Sequence, residues 1–289
     1  MADIFLAARY RVVDLIAQGT SGSILRVYDT QEGSYAAAKV LLGDEVSEQR
    51  RGDFGREIDV LKRLDHPGVV RLLSHDARHT PPFYLMPLFT GGSLAKAGAS
   101  FDTSLLWRIA ADSVEALAYM QDAGIAHGDV KPNNIVLDGN GRPVLVDFGC
   151  ARDLHADNEA RPLAGAPDFL APERIVDKSP PTSAADIFAL GVTLYYLASG
   201  VLPFEAPTPA QTLRRVLAGA RRPLGALRDD LSEALVHWID SCLHGDAARR
   251  PDAPTLLASC PEALDAAAER RRLLSLIASP GVASKATAG

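Results

Sequence analysis

Between His127 and Gly149 the chain reads HGDVKPNNIVLDGNGRPVLVDFG. Two aspartates, Asp129 and Asp147, stand 18 residues apart, with Lys131 and Asn134 between them. Carboxylate and amide oxygens are the hard donors that Mg²⁺ takes, and phosphate oxygens can complete its octahedron. A second stretch, IAQGTSGSI, places Gly19 and Gly22 in a turn between two strand-like runs. Glycine lets backbone N–H groups face phosphate oxygens with no Cβ in the way. Taken alone, that stretch reads as an ordinary hairpin. Position 128, directly before Asp129, is also glycine.

These residues need elements to hold them. Residues 10–90 are β-prone, with the runs YRVVDLIA, ILRVYDT, YAAAKVLL, VVRLLSH and FYLMPLF separated by turn residues. One helix interrupts them, where Phe54, Ile58, Leu61 and Leu64 fall on one face before Pro67 and Gly68 stop it. From about residue 102 the pattern turns helical, with Asp102 or Thr103 as N-cap and Gly124 as C-cap. Two short strands around NIVL and PVLVDFG follow, then a loop of more than 20 residues, a length that is usually functional. Helices are expected at SAADIFALGVTLYYLASG, PAQTLRRVLAG, EALVHWIDSCL and EALDAAAERRRLLSLIA.

Composition sets the bounds. The 289 residues suffice for two lobes with real cores. Net charge is −6, which offers no basic face for nucleic acid. Three cysteines, Cys150, Cys242 and Cys260, give no disulfide framework and no metal-ligand spacing, and suit a reducing cytosol. The start lacks the apolar core of a secretion signal, and IFALGVTLYYLASGVLPF reads as a buried helix and not a membrane span. Arginine outnumbers lysine and alanine is abundant, which points to a GC-rich, bacterial gene.

Taken together, in this order and at these separations, the motifs resemble a Hanks-type serine/threonine protein kinase across about residues 10–260. The resemblance implies an α+β bilobal fold, with a small β-rich lobe over about 10–86 and a hinge near 87–93. A five-stranded antiparallel sheet with one main helix is expected in the small lobe, and a mainly helical lobe over about 94–260. A C-terminal helix and flexible tail would fill 261–289, and ATP would lie between the lobes.

The resemblance also assigns roles. Asp129 corresponds to the aspartate that accepts the substrate hydroxyl proton, and Lys131 to the lysine that steadies the γ-phosphate. Asn134 and Asp147 correspond to the magnesium ligands, with Mn²⁺ as an alternative metal. Lys39, in AAAK, pairs with Glu57 and holds the α- and β-phosphates. Gly19 and Gly22 belong to the phosphate loop, with Ala17 where its first glycine would stand. Met86 is the gatekeeper, Pro87 offers a carbonyl to adenine, and Phe89 offers its N–H and carbonyl. Ile16, Ile24, Ala37 and Val136 sandwich the ring. His127 would pack with Phe148, Leu72 and Leu61. Asp186 would cap the catalytic-loop backbone, and Arg250 would pair with Glu173 of Ala-Pro-Glu. Lys-Pro after Asp129 is the serine/threonine form, which implies protein substrates with Ser or Thr acceptors.

The chain departs from the pattern in two places. Gly128 replaces the arginine of His-Arg-Asp, which in many kinases clamps a phosphorylated activation loop. Residues 149–173 contain no Ser, Thr or Tyr, so there is nothing to clamp. Activity independent of activation-loop phosphorylation is therefore expected, with Phe169 and Leu170 anchoring the segment and Asp153, Asp157 and Glu159 as weak phosphate mimics. Autophosphorylation would map elsewhere, to Ser21, Ser23, Ser275, Ser279, Ser284 or Thr287. Ala166 replaces a threonine that would bridge the catalytic Asp and Lys. Cys150 is either a redox or covalent-inhibitor site or a plain small residue. His-Gly-Asp is also the spelling of aminoglycoside- and choline-kinase-type phosphotransferases, so a small-molecule kinase stays open, as does an ATP-binding pseudokinase. A cytoplasmic protein without membrane insertion or nucleic-acid partner is expected, of unassigned oligomeric state.

Overall fold

The structure is a computed structural model that describes residues 4–19, 22–42, 47–98, 101–155, 166–261 and 265–278. The chain divides into two compact units, Met1–Phe89 and Thr90–Gly289.

The first unit is a six-stranded antiparallel sheet with one long helix. Its strands are β1 (Phe5–Leu6), β2 (Tyr10–Gly19), β3 (Gly22–Asp29), β4 (Ser34–Val40), β5 (Ser74–Asp76) and β6 (Phe83–Met86), in the order β1-β2-β3-β4-β6-β5. The sheet has one strand more than expected, because Phe5 and Leu6 pair with Arg11 and Tyr10 at its edge. Alternation along the strands sorts the side chains by face. Ala36, Ala38, Val40, Phe83 and Leu85 enter one hydrophobic core with Leu6, Tyr10 and Val27. Ala37, Lys39, Tyr84 and Met86 fall on the other face. The register aligns Ala37 with Met86 and Lys39 with Tyr84.

Helix α1 runs Glu48–Leu61, capped by the Ser47 hydroxyl, which accepts from the Arg50 N–H. It begins six residues before Phe54, where the apolar stripe starts. Its first turns are polar, so the cap marks the start and the periodicity does not. The run at 69–75 contributes only Ser74 and His75 of β5 and the Leu73 N–H, which donates to the Leu85 carbonyl. Val69 and Val70 are buried outside the named strands, Val69 as an isolated β-bridge residue.

The second unit is mainly helical. Helix α2 (Thr103–Asp122) is N-capped by Asp102, which accepts from the Leu105 N–H at 3.0 Å. After it come the short strands β7 (Ile125–Ala126), β8 (Ile135–Leu137), β9 (Pro143–Leu145) and β10 (Arg152–Asp153), paired as β7 with β10 and β8 with β9. Helices α3 (Pro172–Val176), α4 (Ser183–Ser199), α5 (Pro209–Ala218), α6 (Glu233–Cys242), α7 (Ala253–Ala258) and α8 (Ala266–Ala278) complete it. Helix α4 is buried on nearly every side, as its all-round apolar sequence requires. Among the described residues no helix is long and apolar enough to cross a membrane. Helix α8 is fixed to α2 by Arg270, whose Nε donates to the fully buried Asp112 at 2.9 Å, and by Leu273, which is fully buried.

Candidate active site

In the first unit the predicted residues gather on one face of the sheet. Lys39 is 2% exposed, and its Nζ donates to both carboxylate oxygens of Glu57, at 2.7 and 2.9 Å. Glu57 reaches it from the buried side of α1. A charge pair this deep needs further hydrogen bonds to offset desolvation. One comes from the Tyr84 hydroxyl, 2.9 Å from Glu57 Oε1.

The other first-unit residues flank this pair. Ile24 faces Lys39 in the β3–β4 register, and Ala37 and Met86 are buried side by side. Gly19 and Gly22 face each other across the β2–β3 hairpin. Gly22 has φ +142°, and a Cβ there would lie 2.8 Å from the Val40 carbonyl oxygen, so only glycine fits. Ile16, at a bulge in β2, is exposed. Pro87 and Phe89 are half-buried where β6 ends, a strand halted by a residue without an N–H. The Phe89 N–H and the Pro87 carbonyl make no backbone hydrogen bond among the described residues.

In the second unit a single loop assembles the rest. Asp129 is buried, and its Oδ2 accepts from Lys131 Nζ at 2.6 Å and from Asn134 Nδ2 at 2.8 Å. Asn134 Nδ2 also donates to the Asp129 carbonyl at 2.9 Å. With its amide nitrogen so used, Asn134 keeps Oδ1 for a cation. Asp129 Oδ1 is buried and has no hydrogen-bond partner among the described residues. The β8–β9 hairpin brings Asp147 to the same end as Asn134: Ile135 pairs with Leu145, and the Val146 N–H donates to the Asn134 carbonyl at 2.9 Å. Asp147 takes φ +64°, a left-handed conformation that aspartate tolerates better than most residues and that clusters at functional sites. Val136 is half-buried on β8 and bridges to Ser93. Oxygen donors on Asn134 and Asp147 and the Gly22 cradle suit Mg²⁺ and phosphate respectively.

The loop is clamped from below. The Asp186 carboxylate accepts from the backbone N–H groups of His127 at 2.6 Å and Gly128 at 2.8 Å. Burial pushes the Asp186 carboxyl above the usual range, and the hydrogen bonds from these two amides pull it part of the way back. His127 is fully buried, with its ring centroid 4.7 Å from that of Phe148. Its Nδ1 accepts from the Asp129 N–H at 3.3 Å and its Nε2 lies 3.1 Å from the Val146 carbonyl, an arrangement that makes Nε2 the protonated nitrogen. Leu61 and Leu72 belong to the first unit. Arg250 uses all five N–H groups: two on Glu173 at 2.8 and 2.7 Å, the others on the carbonyls of His244, Ala184 and Gly245.

Gly128 has φ +81°, and a Cβ there would meet the Cys150 carbonyl oxygen at 2.6 Å and Pro181 Cγ at 2.7 Å. The buried Arg174 donates instead to the Gly128 carbonyl, at 3.1 Å. Burial lowers its pKa, and the charge of Asp186 is the strongest influence raising it again. Ala166, Phe169, Gly128, Asp129, Arg174 and Asp186 line one small hollow. Leu170 is buried beside it and Phe169 is half-buried. Cys150 is partly buried, and desolvation, with Asp129 and Asp147 adding, pushes its thiol up to about 11. A thiol held protonated at neutral pH is a poor nucleophile, which favours the plain small residue.

Among the expected phosphate acceptors, Ser23 is buried on β3, which leaves its hydroxyl no access to a second kinase molecule. Ser275 is exposed on α8 and donates to the Arg271 carbonyl. Ser21, Ser279, Ser284, Thr287, Asp157 and Glu159 lie outside the described residues. Two site residues escaped the sequence reading, Tyr84 and Arg174. Register opposite Lys39 marks the first, but no local signal marks the second.

The protein kinase domain family matches residues 10–260. The chain belongs to the protein kinase family. This kinase domain is 30% identical over 256 residues to MAP3K epsilon protein kinase 1 of Arabidopsis thaliana, covering 86% of this chain and 18% of that protein. It is 34% identical over 222 residues to the DNA damage-responsive serine/threonine-protein kinase RqkA of Deinococcus radiodurans, covering 72% and 32%. To CBL-interacting protein kinase 19 of Oryza sativa it is 30% identical over 246 residues, covering 82% and 48%. The chain thus spans less than half the length of each, and the likeness places it with serine/threonine kinases.

Proposed function

We propose that this chain transfers the γ-phosphoryl group of Mg-ATP to serine or threonine hydroxyls of proteins. The observation that carries the reading is the Asp129 carboxylate. One oxygen is saturated by Lys131 and Asn134, and the other is buried with no partner among the described residues, poised to accept from a hydroxyl. Asp129 orients that hydroxyl and takes its proton, and Lys131 steadies the γ-phosphate. Asn134 and Asp147 would hold the metal, which neutralises charge on the phosphates when bound. Lys39, fixed by Glu57, holds the α- and β-phosphates. Gly19 and Gly22 admit them to the backbone N–H groups. Ile16, Ile24, Ala37, Met86 and Val136 take the adenine ring, with Pro87 and Phe89 on its polar edge. Transfer of this kind depends on positioning and charge neutralisation more than on covalent chemistry.

Activity is independent of activation-loop phosphorylation in this reading. Residues 149–173 hold no hydroxyl, and the backbone at Gly128 leaves no room for a clamping arginine. A bacterial, cytoplasmic kinase with a protein substrate and the His-Gly-Asp signature is the full proposal. Ala-Pro-Glu, Asp-Phe-Gly and the Arg250–Glu173 pair favour protein substrates over small alcohols. The test is an assay with labelled ATP, run on protein substrates and on a panel of small alcohols, before and after phosphatase treatment. Label on Ser or Thr of protein, at a rate unchanged by phosphatase, is expected. Label on small alcohols alone, or loss of activity on dephosphorylation, would overturn it.

A further inference from the structure

Glu57 accepts a hydrogen bond that the Lys39 pairing does not account for. The Tyr84 hydroxyl donates to Oε1 at 2.9 Å, the same oxygen that Lys39 Nζ approaches at 2.7 Å. Tyr84 is on β6, in register with Lys39 on β4 and on the same face of the sheet, so its ring lies beside the lysine, 6.0 Å from Nζ. That ring also packs on Phe54, centroid to centroid at 5.5 Å. Phe54 and Glu57 are three residues apart on α1 and so share one face, a turn apart. Tyr84 therefore grips α1 twice, with its ring on Phe54 and its hydroxyl on Glu57. The four side chains are closed off from water: Tyr84 is 1% exposed, Lys39 2%, Phe54 3% and Glu57 4%.

We infer that Tyr84 is a positioning residue that locks α1, and through Glu57 the Lys39 ammonium, in the paired arrangement from inside the first unit. Kinases commonly gain that pairing when a phosphorylated activation loop sets the helix. This chain has no hydroxyl in residues 149–173 to carry such a phosphate, so the helix needs another hold. A hydroxyl donating to a buried carboxylate supplies one, because charge-assisted bonds in a dry site are the strong ones. The role in turnover rests on the reading of Lys39 and Glu57 given above.

The test compares the wild type with Tyr84→Phe, Glu57→Gln and the double variant. Phenylalanine keeps the ring packing and removes only the donor. Amide hydrogen exchange, with no nucleotide present, should rise about tenfold across residues 54–61 in Tyr84→Phe and stay level elsewhere. The kcat/KM for Mg-ATP should fall about tenfold, and by less than about twofold when Glu57 is already Gln, since the two act as one unit. Unchanged exchange, unchanged kcat/KM, or an equal loss in both backgrounds would overturn the inference, the last by reducing Tyr84 to packing. Failure of the kinase reading shows elsewhere, as transfer that survives Lys39→Met. The exchange arm judges Tyr84 in either case.

Discussion

Glu57 and Asp129 are both buried carboxylates that face a lysine, one in each unit, yet they are wired differently. Glu57 has both oxygens engaged, Oε1 by Lys39 and Tyr84 and Oε2 by Lys39. Asp129 has Oδ2 doubly engaged and Oδ1 without a partner among the described residues. A buried polar atom without a partner costs free energy and persists where it serves a function. The first carboxylate is a strut and the second is an open valence. Ala166 is part of the reason: it lines the hollow beside Asp129 and brings no hydroxyl where the family usually has one.

The contrast can be pressed by mutation. Asp147→Ala should have the largest effect on turnover, a loss of about 10³-fold or more, since the proposed role of Asp147 is to hold the metal in a site that works by charge neutralisation. Steady-state kinetics with a protein substrate reads it, and Mg-ATP binding should weaken alongside. Glu57→Ala should show its damage in stability. Removing one partner of a buried pair strands the other, at a cost of about 3–5 kcal/mol. Chemical denaturation should find it, with Asp129→Asn as the contrast at under about 1 kcal/mol.

Cys150 should give the smallest effect. Its folded pKa is raised to about 11 from an ordinary 9.0, chiefly by desolvation, so the fold favours the neutral thiol. The thiolate fraction is then negligible at pH 7 and grows only as pH climbs toward 11. Alkylation of the native protein should be slow at pH 7 and accelerate above pH 9. Cys150→Ala should keep wild-type turnover and peroxide sensitivity. Fast labelling at neutral pH would restore the reactive reading.

Much of the site is local in sequence and so was legible. Asp129, Lys131, Asn134 and Asp147 lie within one hairpin and its approach, and spacing alone places them together. The Lys39–Glu57 pair and the Arg250–Glu173 fork were read from motif order, which encodes long-range partners. Tyr84 was not, because its use depends on the β4–β6 register and on the angle of α1. Arg174 was not, because it turns back onto Gly128 through backbone carbonyls that any sequence would supply. Gly128 was read as a missing arginine. The structure adds that the backbone there excludes any side chain, with the Cys150 carbonyl and Pro181 filling the space. In the fold, strand β1 and the first turns of α1 were missed. Two residues make no periodic pattern, and a polar helix start shows only in its cap.

The central claim is that Asp129 carries the proton-accepting step while binding is done elsewhere. Asp129→Asn keeps the size and the Lys131-facing oxygen but loses the charge. Its kcat and the dissociation constant of Mg-ATP, measured on the same preparation, test the claim most directly. The kcat should fall by about 10²–10⁴-fold, with the dissociation constant within about threefold of wild type. Turnover at the wild-type rate would contradict it.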